Sequence, residues 1–144
     1  GKIYLEALAA DNPFTAADLL IERAKEDGAK IIVVDFHAEA TSEKKAMGHY
    51  LTGKVTGVFG THTHIQTSDA QTMAGGTGYI TDLGMTGPEE SVLGVKKEII
   101  IEKFRKGFTT MFETADTPPF MQGCVFTVDR DSGKTVAVEA ITVR

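Results

Sequence analysis

The sequence predicts an α/β protein, and three observations predict it. Stretches of helical apolar spacing alternate with short β-branched runs through the first two thirds of the chain. Histidine motifs follow two of those runs, and the chain closes with two strand-like segments joined by a tight reversal.

Lys2 to Leu8 alternate loosely as a short strand, and Asn12-Pro13 marks the turn before a helix. Thr15 is the expected N-cap, with Asp18 three residues on. Leu20, Ile21 and Ala24 then recur at helical spacing until Asp27-Gly28 stops the element, which predicts a helix over 16–26. Ile31 to Phe36 is apolar and β-branched without alternation until Asp35, as for a strand covered on both faces. These elements form a βαβ unit. Ser42 to Leu51 predicts a second helix, with Ala46, Met47, Tyr50 and Leu51 on one side, and Val55 to Phe59 repeats the strand pattern.

Gly75-Gly76-Thr77-Gly78 precedes a strand rather than opening a helix, so it reads as a turn and not as a phosphate loop. It leads into Tyr79 to Thr81, which ends in Asp82 and a flexible loop from Gly84 to Pro88. Val95, Ile99, Ile100 and Phe104 define a last helix, closed by Lys103, Arg105 and Lys106 ahead of Gly107. Phe108 to Thr114, Gly123 to Asp129 and Thr135 to Val143 read as strands, and Asp131-Ser132-Gly133-Lys134 turns the last two into an antiparallel hairpin.

At 144 residues the chain fits one domain, and such a length buries roughly 70% of its unfolded surface. No apolar run approaches the roughly 20 residues that a membrane span needs. The formal charge of −5 argues against broad nucleic-acid binding. An anionic substrate such as a phosphate ester would need that charge offset locally, and bound divalent cations supply such an offset. Cys124, the one cysteine, forms no intrachain disulfide and reads as a buried thiol inside a strand. With no leader pattern at the start, the expected compartment is the cytoplasm.

His37 in Asp35-Phe36-His37-Ala38-Glu39, and His62 and His64 in Gly60-Thr61-His62-Thr63-His64, lie at the ends of two predicted strands. Neutral imidazole is a good ligand for Zn, Mn and Fe, and ligands in open α/β sheets bind outside the carboxyl ends of strands. The expectation is a metal centre held by His37, His62 and His64. Glu39 and Asp82 are candidates for orienting a histidine or contacting substrate. A dinuclear centre needs a bridging carboxylate, and none of Asp35, Glu39 and Asp82 has an evident bridging position. Gly60 is read as permitting the tight turn, Thr61 and Thr63 as satisfying backbone groups, and His49 as a surface residue of the second helix.

The strings Asp35 to Lys44, Gly60 to Thr67 and Tyr79 to Gly87 resemble the carboxyl-terminal half of the YmdB-like metallophosphoesterases, members of the calcineurin-like phosphoesterase superfamily. The resemblance implies part of a calcineurin-like sandwich of mixed sheets flanked by helices. It also implies a phosphodiesterase acting on 2',3'-cyclic nucleoside monophosphates through hydroxide activated by two divalent ions (Mn, Fe, Zn or Mg). His37 and His62 would ligate one ion and His64 the other. The family's Asp, Glu-Asn and Asn-His motifs are not in this sequence, so the amino-terminal metal-binding half is expected to be absent. No residue of this chain is then assigned as catalytic, and weak metal binding and little hydrolysis are expected of it alone. Expected partners are a small phosphodiester and either a second copy or the missing half, with no membrane. The competing readings are a mononuclear three-histidine hydrolase and a non-catalytic metal-binding or assembly module.

Overall fold

A computed structural model describes residues 11–107 and 111–144. The predicted strand from Lys2 to Leu8 lies outside them, as do the first three residues of the predicted strand from Phe108 to Thr114. Helix α1 (Pro13–Glu26) leads into strand β1 (Val33–His37), helix α2 (Thr41–Leu51) and strand β2 (Gly57–Thr61). Next come β3 (Gln71–Met73), a single 3-10 turn (Ala74–Gly76), β4 (Thr77–Ile80) and β5 (Thr86–Pro88). Helix α3 (Lys97–Lys106) and the hairpin β6 (Pro119–Val128) and β7 (Thr135–Val143) complete the described chain.

Two sheets result. The first runs β1-β2-β4-β3, with β1, β2 and β4 parallel and β3 antiparallel; the second is antiparallel in the order β5-β6-β7. The α/β class therefore holds, and β1-α2-β2 is a parallel βαβ unit. The parallel registers bring His37 beside Thr61, so both histidine motifs emerge at the same end of neighbouring strands.

Several expectations shift. Asn12, not Thr15, caps α1: its side chain accepts the Phe14 N–H at 2.9 Å. Pro13 occupies the first helical turn, where its missing N–H costs nothing and its fixed φ suits the helix. Strand β1 starts two residues later than its apolar run and ends one later, β2 sits two residues later at both ends, and β4 starts two residues earlier. The loop read as flexible contains β5, while Met111 to Thr114 contribute only an isolated bridge from Thr114 to Val95. On α2 the buried residues are Glu43, Lys44, Met47, Gly48 and Leu51, while Ala46 and Tyr50 are exposed. Cys124 is half-buried rather than buried, and that burial raises its thiol pKa.

The core gathers Ile21, Phe36, Met47, Leu51, Val55, Val58 and Tyr79 between the helices and the first sheet. The hairpin docks on the other face through a notch of two glycines. A Cβ on Gly78 would stand 2.3 Å from Phe126 Cδ1, and one on Gly57 3.1 Å from Phe126 Cε1. The Thr135 hydroxyl locks the same contact by donating to the Thr56 carbonyl at 2.7 Å.

The both-face coverage expected for Ile31 to Phe36 is not seen among the described residues: Ile31 and Val33 stand about half exposed and Leu20 is 66% exposed, and β1 has β2 as its one neighbour there. An apolar groove of about 460 Å³ runs between α1 and β1, lined by Leu20, Ala24, Ile32 and Val34 among others. No helix among the described residues is long and apolar enough to cross a membrane.

Candidate metal centre

His37 is the last residue of β1, and His62 follows the last residue of β2. Their rings meet edge to face with centroids 4.8 Å apart, and His37 Nε2 lies 3.0 Å from His62 Nδ1. The outer nitrogens are anchored. The Thr61 hydroxyl donates to Asp35 Oδ1 at 2.9 Å, so its lone pair receives the His37 Nδ1–H at 3.0 Å. His62 Nε2–H donates to Glu39 Oε2 at 2.6 Å.

These anchors fix the tautomers and with them the chemistry of the inner pair. With Nδ1 of His37 and Nε2 of His62 protonated, two imidazole lone pairs face each other. Neutral rings repel in that arrangement, and only a proton or a metal cation between them makes it favourable. The 3.0 Å separation is that of a hydrogen bond, and it is also the separation of two imidazole nitrogens about 2.1 Å from one ion at right angles. Among the described residues no group of three or more His, Cys, Asp and Glu side chains is arranged to hold an ion, these two histidines included.

His64 lines a cavity of about 180 Å³ with Gln66, Met85, Glu89 and Gln122, which neither His37 nor His62 lines. Both His62 (φ 107°) and His64 (φ 64°) have left-handed backbone, which costs an ordinary residue of order 1–3 kcal/mol each and concentrates at functional sites. Gly60 is needed for a different reason than a turn: it lies within β2, and a Cβ there would sit 1.9 Å from the Thr81 carbonyl oxygen and 2.8 Å from Lys44 Cδ.

Beneath the loop lies an ion pair that the sequence did not reveal. Lys44 Nζ meets Asp82 Oδ2 at 2.7 Å with exposures of 1% and 0%. The same Oδ2 accepts the Thr63 N–H at 3.0 Å, and Oδ1 accepts the Gly84 N–H at 3.0 Å. Burial pushes the Asp82 carboxyl up, but Lys44 and the donors of Gly84 and Thr63 outweigh it and hold it below the usual carboxylate range. Leaving one member of such a pair unpaired costs about 3–5 kcal/mol. Asp69 plays a parallel part. It accepts from the Thr81 N–H at 3.0 Å and from the hydroxyls of Thr81 and Thr67 at 2.6 and 2.7 Å, with Lys45 at 3.5 Å. Burial raises its pKa, and the Thr81 and Thr67 bonds with Lys45 bring it net below normal.

Gln66 carries the loop across to the hairpin, its amide donating to the carbonyls of Gly123 at 2.9 Å and Ile141 at 3.1 Å. His49 is exposed in the last turn of α2, remote from these groups.

The family model described as YmdB-like protein matches residues 1–141. The chain is 43% identical over 143 residues to the 2',3'-cyclic-nucleotide 2'-phosphodiesterase of Bacillus subtilis (strain 168), an alignment covering 99% of this chain and 53% of that protein. Among solved structures, a hypothetical protein from Thermus thermophilus superposes with a TM-score of 0.85 at 37% identity, over 99% of this chain and 54% of that one. A phosphatase from Mycoplasma pneumoniae superposes with a TM-score of 0.84 at 39% identity, over 92% of this chain and 46% of that one. The chain thus spans about half the length of the curated relative it matches.

Proposed function

The chain belongs to the YmdB-like family, and on that premise we propose that it forms the carboxyl-terminal half of a metal-dependent phosphodiesterase acting on 2',3'-cyclic nucleoside monophosphates. The observation that carries the reading is the pair of facing imidazole lone pairs on His37 and His62, 3.0 Å apart at the carboxyl ends of adjacent parallel strands. The similarity to a named cyclic-nucleotide phosphodiesterase supplies the substrate class.

In this reading His37 and His62 hold one divalent cation and His64 contributes to a second. Bound there, such ions supply Lewis acidity toward phosphoryl oxygens and toward water. The chain's own residues do the positioning. Asp35, through the Thr61 hydroxyl, keeps a proton on His37 Nδ1 and so leaves Nε2 free as a ligand. Glu39 does the same for His62 by accepting its Nε2–H. The bridging carboxylate comes from the remainder of the protein, which also covers the apolar groove between α1 and β1.

The test assays the complete protein with Mn²⁺ on bis-p-nitrophenyl phosphate and 2',3'-cyclic AMP. Alanine at His37 or His62 is expected to abolish turnover, with two ions bound per wild-type site. Wild-type turnover in either variant defeats the proposal, and one ion per site replaces it with a mononuclear centre.

A further inference from the structure

We infer that the buried Lys44–Asp82 pair is a positioning device: it holds the Thr63 amide between the left-handed residues His62 and His64 and so aims the two histidines. Neither residue reaches the imidazoles. The effect passes through one amide, since Asp82 Oδ2 is shared between Lys44 at 2.7 Å and the Thr63 N–H at 3.0 Å. Thr63 is the residue between the two strained histidines, whose φ values are 107° and 64°.

A strained segment persists only when its surroundings over-determine it. Here they do so from three sides. The Asp82 carboxylate also accepts the Gly84 N–H at 3.0 Å, and its backbone exchanges two bonds with Thr67, at 3.0 Å to the Thr67 hydroxyl and 3.1 Å from the Thr67 N–H. Leu83 N–H donates to the Gly60 carbonyl at 3.0 Å, which ties the ends of β2 and β4 together below the loop. Gly60 leaves the space through which the Lys44 stem passes, because a Cβ there would meet Lys44 Cδ at 2.8 Å. The adjacent Lys45 reaches Asp69 on the far side of the same loop. Consecutive lysines of α2 therefore hold two carboxylates that between them fix residues 63, 67, 81 and 84. An apolar pair of the same size would fill the volume but would not present an acceptor to Thr63.

The test uses the complete protein with Lys44→Met/Asp82→Leu. Well-packed apolar side chains commonly replace a buried ion pair without loss of folding, and this pair removes the acceptor from Thr63. Lys44→Met/Asp82→Asn is the companion that retains an acceptor oxygen. In the apolar variant the backbone chemical shifts of residues 62–64 are expected to move, and Mn²⁺ affinity by calorimetric titration is expected to fall about 10–100-fold. The companion is expected to keep both near wild type. A folded apolar variant with wild-type shifts overturns the inference. Only the Mn²⁺ arm rests on the metal reading of the histidines: a wild-type protein that binds no Mn²⁺ refutes that reading, while the shifts still decide this one. If the apolar variant does not fold, amide exchange in the wild type decides instead. Protection of the Thr63 N–H by roughly a hundredfold or more over an open loop supports the inference, and exchange at the open-loop rate overturns it.

Discussion

Thr61→Val keeps the β-branched shape at the end of β2 and deletes one oxygen atom. That oxygen donates to Asp35 at 2.9 Å and accepts from His37 at 3.0 Å, so the substitution removes both bonds at once. Each is worth about 0.5–1.5 kcal/mol net, with the carboxylate bond at the upper end. The groups are solvent-exposed, which discounts the pair to about 1–2 kcal/mol. That corresponds to roughly five- to thirtyfold in the preference of His37 for the Nδ1–H tautomer with Nε2 directed at His62. The same factor is expected in kcat/KM of the complete protein on bis-p-nitrophenyl phosphate, and ¹⁵N ring shifts of His37 report the tautomer directly. Thr61→Ser, which keeps the hydroxyl, is expected to stay close to wild type. A valine variant whose His37 tautomer is unchanged and whose kcat/KM lies within about twofold of wild type would refute the claim that this hydroxyl governs the ring.

Gly78→Ala pushes a methyl group into the Phe126 ring, with 2.3 Å to the nearest ring carbon, and is expected to cost about 1–3 kcal/mol in urea unfolding. Phe126→Leu on the same background is expected to recover part of that loss, and strictly additive effects in the double-mutant cycle would show that the notch is not tight. Acid stability follows from Asp69 and Asp82, whose folded pKa values are depressed below those of the unfolded chain. Their contribution is complete above about pH 4, where both states are ionised, and disappears as pH falls through the depressed folded values. The urea midpoint is expected to drop below about pH 4 in the wild type and to drop less in Asp82→Asn; equal acid limbs for the two proteins would contradict this.

The alternation of helix and strand was legible because period and composition carry it locally, as in Leu20, Ile21 and Ala24 on α1 or Val58 and Phe59 in β2. Strand ends were displaced by one or two residues because the ladder begins where the neighbouring strand offers a partner, and apolarity alone does not mark that point. β3 and β5 left no trace: three residues apiece, rich in Gln, Thr, Gly and Pro, they are strands by virtue of what lies alongside. At the site, residue type singled out His37, His62 and His64 alike, and the parallel register joined the first two. Nothing local showed that His64 lines a different cavity or linked Lys44 to Asp82 across 38 positions. Asp69 carried no signal in the sequence, because its hydroxyl and amide partners on Thr67 and Thr81 converge only in the fold. The both-face coverage expected for Ile31 to Phe36 requires a packed layer on each face of the sheet, and among the described residues Ile31 and Val33 are left about half exposed.

Two histidines occupy backbone conformations that glycine would adopt without penalty. On the proposed metal reading, stability and chemistry therefore pull in opposite directions at positions 62 and 64. His62→Gly or His64→Gly relaxes the main chain while discarding the imidazole, so such a change is expected to steady the fold and to cost the activity proposed for the complete protein. A directed search for thermostable variants that monitors folding alone would drift toward losing this loop's side chains first.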